Sequence, residues 1–141
     1  MKINALDILK EKGLSNTGPR KRILEILIGD QAPLSASEVF KKLEFEGLCH
    51  NESTVYRNLQ KFLEAEIIQS FTLNDGIARF EFKKGHHHHI VCIKCKKMDC
   101  LNLCQVEKLF DEAIKKHGFM PVSHHLEFYG LCKGCSTSPL K

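Results

Sequence analysis

Two short cysteine pairs, Cys92-Ile93-Lys94-Cys95 and Cys132-Lys133-Gly134-Cys135, carry the most specific chemistry in this 141-residue sequence. Each C-x-x-C unit sets two sulfurs on one tight turn. Two such turns brought together complete a tetrahedral thiolate cage for Zn²⁺. Lysines beside the first pair and inside the second offset the negative charge that four thiolates collect. The gap between the pairs is longer than in a compact zinc ribbon, so intervening structure must close it. A redox dithiol and an inert pair are the alternatives. A redox C-x-x-C normally occurs once and opens a helix in a thioredoxin-like setting, which is missing here.

The run His86-His87-His88-His89 leads directly into Ile90-Val91-Cys92. If it enters a strand, alternate side chains face opposite ways. His86 and His88 then point to one side, His87 and His89 to the other, and one strand feeds two metal sites. Imidazole suits zinc, iron, nickel, copper and manganese, so the histidines alone choose no metal. A solvated polar strand start is the competing reading, although four consecutive histidines rarely serve packing.

These ligands are concentrated in one half of the chain. From Gly85 onward lie six of the seven cysteines and seven of the eight histidines. The shift near Lys83-Lys84-Gly85 predicts two domains, residues 1–84 and 85–141. The opening Met1-Lys2-Ile3-Asn4 lacks the apolar stretch of a secretory signal, and no apolar run approaches the ~20 residues that cross a bilayer. The expectation is a cytoplasmic protein with no membrane partner, whose thiols stay reduced and favour metal over disulfides. A net charge of +4 is compatible with nucleic acid without establishing it.

The first half must supply a scaffold, and it reads as helices ending in a hairpin. Asn4 to Lys12 is a short helix stopped by Gly13. Thr17 caps a second, with Pro19 in its first turn and Ile23, Leu24, Leu27 and Ile28 as the buried stripe. Ser35 and Glu38 have capping-box spacing and open a third. Asn51 or Ser53 caps a fourth, with Val55, Leu59, Phe62 and Leu63 inward. Ile67 to Leu73 and Ile77 to Phe82 read as strands joined through Asn74-Asp75-Gly76. The last three of these helices followed by a two-stranded hairpin are in the order of a winged helix, whose last helix before the hairpin enters the major groove. Its exposed side chains would include Ser53, Thr54, Tyr56, Arg57, Asn58 and Lys61, which suit phosphate and base-edge contacts. A solvated amphipathic face is the alternative. In the second half Gln105 to His117 reads as a helix with Val106, Leu109, Phe110 and Ala113 apolar, and Phe119 to Leu131 mainly as extended strand.

Taken in order, these residues resemble the ferric uptake regulator superfamily. The likeness rests on Gly13-Leu14, Thr17, Pro19-Arg20, Ile23-Leu24 and Thr54-Val55-Tyr56-Arg57-Asn58-Leu59. It continues through His86 to Cys95, His117-Gly118-Phe119, His124, Leu126-Glu127-Phe128-Tyr129-Gly130 and the last cysteine pair, covering about Leu6 to Cys135. The resemblance implies an α+β homodimer that binds a palindromic double-stranded DNA operator. Each subunit would carry an N-terminal winged helix and an α/β dimerisation domain with a three-stranded antiparallel sheet. It implies structural zinc at Cys92, Cys95, Cys132 and Cys135. A sensory site between the domains falls on Glu81, His87, His89 and the residue aligned at Cys100. A further site in the dimerisation domain falls on His86, His88, Glu107 and His124. Arg20 joins the recognition helix among the DNA-binding residues.

The departures from the family pattern bear on metal choice. Iron- and peroxide-sensing members commonly draw a histidine from before the third helix, where this chain has Pro33. They place an acidic ligand where Cys100 aligns, and a thiolate there favours zinc over ferrous iron or manganese. Alternatively Cys100 is a buried free thiol and nearby Asp99 or another group is the ligand. Ser15-Asn16 lacks the lysine that some relatives insert into the minor groove. Cys104 has no assigned role. The resulting expectation is a zinc-responsive repressor of zinc-uptake genes and not an enzyme, with iron-, manganese- or nickel-responsive regulators as alternatives. A zinc hydrolase and a metal buffer are the competing classes; the hydrolase lacks H-E-x-x-H spacing.

Overall fold

Side-chain caps start the helices of the first half where the sequence places them. Asn4 accepts the Leu6 amide and opens α1 (Ala5–Glu11). Thr17 accepts the Arg20 amide and opens α2 (Gly18–Gly29), with Pro19 in the first turn where its missing N–H costs nothing. Ser35 and Glu38 close a reciprocal capping box ahead of α3 (Ala36–Phe45). Asn51, rather than Ser53, caps α4 (Glu52–Glu64), accepting from both the amide and the hydroxyl of Ser53. The computed structural model describes residues 2–102 and 104–137. The chain divides into two units, Met1–Lys83 and Lys84–Lys141. No helix among the described residues is long and apolar enough to cross a membrane.

In the first unit a short strand β1 (Leu34–Ser35), which the sequence did not announce, joins the expected hairpin of β2 (Ile68–Thr72) and β3 (Ala78–Phe82). The order is β1-β3-β2 and both pairings are antiparallel. Gly76 closes the hairpin turn at φ +73°, its N–H on the Leu73 carbonyl. Beneath the helices Leu9, Ile23, Leu24, Val39, Leu43, Val55, Leu59, Phe62 and Ile68 are almost wholly removed from water. Each such side chain contributes about 1.5–3 kcal/mol of burial free energy, so this unit has a core of its own.

Two polar residues depart from expectation. Asn58 and Arg20 are buried, at 6% and 9% exposure, instead of lying on the open face of the last helix and beside it. Arg20 Nε donates to Asn58 Oδ1 at 2.8 Å and its Nη1 reaches Ser15 O at 2.9 Å and Ser15 Oγ; Asn58 Nδ2 donates to Thr54 O at 2.8 Å. The pair ties α2 to α4 and fixes the helix roll. Asn58→Ala leaves a buried guanidinium N–H without its acceptor and should cost about 2–3 kcal/mol. Urea denaturation measures this, and an unchanged midpoint would show the pair to be dispensable.

The second unit contains β4 (His88–Cys92), β5 (Met98–Leu101), α5 (Glu107–His117), β6 (Glu127–Gly130) and α6 (Lys133–Ser136). Its sheet is ordered β5-β4-β6. The β4–β5 hairpin is antiparallel, but β6 runs parallel to β4, which corrects the expected all-antiparallel arrangement. The reason is where the chain leaves β5: Leu101 ends beside His88 at the start of β4, and α5 and the segment after it carry the chain past β4 at that same end, so β6 sets out from Glu127 alongside β4. Within Phe119 to Leu131 only Glu127–Gly130 forms strand. No residue of α5 is buried, and Leu109, Phe119, Met120 and Val122 stand 64%, 74%, 82% and 96% exposed. The buried apolar side chains here are Val91, Cys92 and Met98 among the described residues.

Candidate metal centres and nucleic-acid interface

The four paired cysteines converge. Cys92 ends β4, and the chain turns back through Lys96 at φ +65°, whose N–H bonds the Cys92 carbonyl at 2.9 Å. Cys132 precedes α6, and its carbonyl accepts the amides of Cys135 and Ser136 at 2.9 and 2.8 Å. The two turns meet where Cys132 N–H donates to Cys92 Sγ at 3.4 Å and Cys95 Sγ lies 3.6 Å from Cys132 Sγ. All four sulfurs fall within 4.8 Å of one another, and none is in a disulfide. Zn–S bonds of about 2.3 Å require S···S edges of about 3.8 Å in a tetrahedron. The donor set therefore fits Zn²⁺.

The thiols themselves are set for an ion. Backbone amides of Cys132 and Cys95 hold Cys92 down at about 5, well below an ordinary thiol. Hydrogen bonding to the Cys132 side chain and desolvation push Cys135 up to about 12. Crowded sulfurs accept one negative charge readily and resist the next, which a cation among them relieves.

The histidines separate as strand alternation predicts. His87 and His89 form one cluster with Cys100, donor atoms within 4.8 Å, and His89 is buried. His89 and Cys100 are direct cross-strand partners in the β4–β5 ladder, which puts both side chains on one face. The rings of His87 and His89 stand edge to face at 4.9 Å. Glu81 lies on β3 of the first unit, buried, and accepts from Gln69 Nε2 at 2.7 Å.

On the opposite side His86, His88 and His124 converge with Cys104. His88 Nε2 lies 3.1 Å from His86 Nε2 and 3.4 Å from His124 Nε2, and His124 Nε2 lies 3.4 Å from Cys104 Sγ. Burial, then the neighbouring His86 and His124, lower the pKa of His88, so it presents a neutral, ligand-ready imidazole. Glu107, expected as the fourth member, is not in this cluster. It occupies the first turn of α5, exposed, where a carboxylate suits the positive end of the helix. The coil before that helix brings Cys104 in its place. Cys104, left without a role three residues before Glu107, was the available signal.

On α4 the side chains of Ser53, Tyr56, Arg57 and Lys61 are exposed and Thr54 partly so. Arg57 lies back along the helix, its Nη2 donating to Ser53 Oγ at 3.1 Å. Hydroxyls and cations thus share one surface, while Val55, Leu59 and Phe62 face the core.

Residues 11–129 match the model of the Ferric uptake regulator family. The chain is 38% identical over 138 residues to the ferric uptake regulation protein of Neisseria meningitidis, covering 96% of each. It is 34% identical over 132 residues to the peroxide operon regulator of Bacillus subtilis, covering 94% of this chain and 91% of that one. Among solved structures, the Helicobacter pylori ferric uptake regulator, described as having three functional metal-binding sites, superposes with a TM-score of 0.81 at 26% identity, covering 98% and 99%.

Proposed function

This chain belongs to the ferric uptake regulator family, and from that premise we propose that it is a homodimeric, metal-responsive repressor of transcription whose effector is zinc. Cys100 carries the choice of metal. A thiolate joining His87 and His89 makes a softer donor set than histidine with carboxylate, and soft donors favour zinc over ferrous iron or manganese. In this reading Cys92, Cys95, Cys132 and Cys135 hold a structural zinc, while His87, His89 and Cys100, with Glu81 carried over from the family pattern, form the sensory site.

Ser53, Thr54, Tyr56, Arg57 and Lys61 would face the operator, and the buried Arg20–Asn58 pair would hold their helix in place. The exposed Leu109, Phe119, Met120 and Val122 support a homodimer, since a surface this apolar calls for a partner. Linkage supplies the mechanism. Where His87, His89 and Cys100 hold the ion more tightly in the operator-competent form than in the other, operator affinity rises by the same factor.

A second reading, regulation by iron or peroxide, is favoured by the likeness to the N. meningitidis and B. subtilis proteins. Titrating binding to a palindromic operator with zinc or ferrous iron, each at buffered free concentration and without oxygen, separates the two. Half-maximal binding at far lower free zinc is the expected outcome. Activation by ferrous iron at the lower concentration would transfer the protein to the iron-responsive reading, and equal operator affinity with and without metal would reject both.

A further inference from the structure

We infer that the His86, His88 and His124 cluster is completed by Cys104, forming a three-histidine, one-thiolate site that selects Zn²⁺ over Fe²⁺ and Mn²⁺. The donor spacings support this directly. Ligands at about 2.0–2.1 Å for nitrogen and 2.3 Å for sulfur require N···N edges of about 3.3 Å and N···S edges of about 3.5 Å in a tetrahedron. The cluster shows N···N separations of 3.1 and 3.4 Å and an S···N separation of 3.4 Å. Three Nε2 atoms converge on this point, with His88 between the other two, and hydrogen bonding to the Leu126 backbone helps hold the His88 ring. Glu107 is accounted for elsewhere, at the start of α5.

Replacing a carboxylate oxygen by Cys104 sulfur has a chemical consequence. Three imidazoles and a carboxylate accommodate ferrous iron or manganese; three imidazoles and a thiolate present a tetrahedral, softer set. With Cys100 in the other cluster, each pair of alternating histidines acquires one sulfur donor, so both sites on this strand lean toward the same metal class. The biological consequence rests on the proposed metal-responsive reading. Operator affinity tests that reading, whereas the spectrum of bound Co²⁺ tests the site alone.

The experiment uses full-length protein with its four-cysteine cluster kept filled with zinc and Cys100→Ser as background, so that Cys104 is the sulfur donor left beside histidines. Added Co²⁺ should produce a thiolate-to-cobalt charge-transfer band and the intense visible bands of a tetrahedral ion. Both should vanish in Cys100→Ser/Cys104→Ser. Cys104→Glu on the same background should bind Co²⁺ without the charge-transfer band and lose at least about tenfold in preference for Zn²⁺ over Mn²⁺. Zinc content and circular dichroism report whether each variant is folded. A thiolate band that persists without Cys104, or that never forms in the Cys100→Ser protein, overturns the assignment; the second outcome needs no Cys104 variant at all.

Discussion

Stripping zinc from the four-cysteine cluster should unfold the second unit and spare the first. The two units are built on different terms. In the first, Leu9, Ile23, Leu24, Val39, Leu43, Val55, Leu59 and Phe62 share one core. In the second, Val91, Cys92 and Met98 are the buried apolar side chains among the described residues, and α5 buries nothing. With so few apolar side chains removed from water, the second unit has no core comparable to that of the first. Small units in this position need a staple, and structural zinc supplies on the order of 10 kcal/mol or more. Chelation, or Cys135→Ser, should therefore abolish amide protection in β4 and β5 while α1 to α4 exchange as before. Hydrogen exchange with metal analysis on the same sample measures both. Protection in β4 and β5 that survives complete zinc loss would show that the cluster does not hold the fold.

Sequence patterns revealed local structure well and partner choice poorly. The Ser35–Glu38 box, the Thr17 cap and the Asn74-Asp75-Gly76 turn act within a few residues, so their spacing is their mechanism. Strand alternation divided the four histidines correctly for the same reason. Asn58 lies on a helix whose polar residues mostly face water, and its partner Arg20 is 38 positions away. A buried polar pair of that kind leaves no periodic trace. Glu107 and Cys104 sit three residues apart, and which one meets the histidines depends on where α5 begins. Helix starts are the least legible feature of a sequence, and here Val106 offers no side-chain cap to mark one. The direction of β6 was hidden likewise, because a long crossover permits either sense.

Dismantling the His87, His89 and Cys100 cluster should remove metal control without removing DNA affinity. His89 is the sharpest place to cut: it is buried, paired across the ladder with Cys100, and flanked by His88, which serves the other cluster. His89→Ala takes one of three converging donors and should abolish most of the metal-induced gain in operator affinity, a gain of roughly 5- to 150-fold for an ordinary coupling of 1–3 kcal/mol. Weak operator binding without metal should match that of the parent protein, because Arg57, Lys61 and the rest of the α4 face are untouched. Cys100→Asp makes the complementary test. The site keeps three donors but exchanges sulfur for oxygen, so activation should shift from zinc toward ferrous iron or manganese. Fluorescence anisotropy on a palindromic operator, with structural zinc confirmed by metal analysis, reads both variants. If His89→Ala responds to zinc like the parent, the sensory site lies elsewhere in the chain. If His89→Ala is unresponsive but Cys100→Asp keeps the parent's metal preference, the histidines sense the ion and Cys100 is a structural thiol.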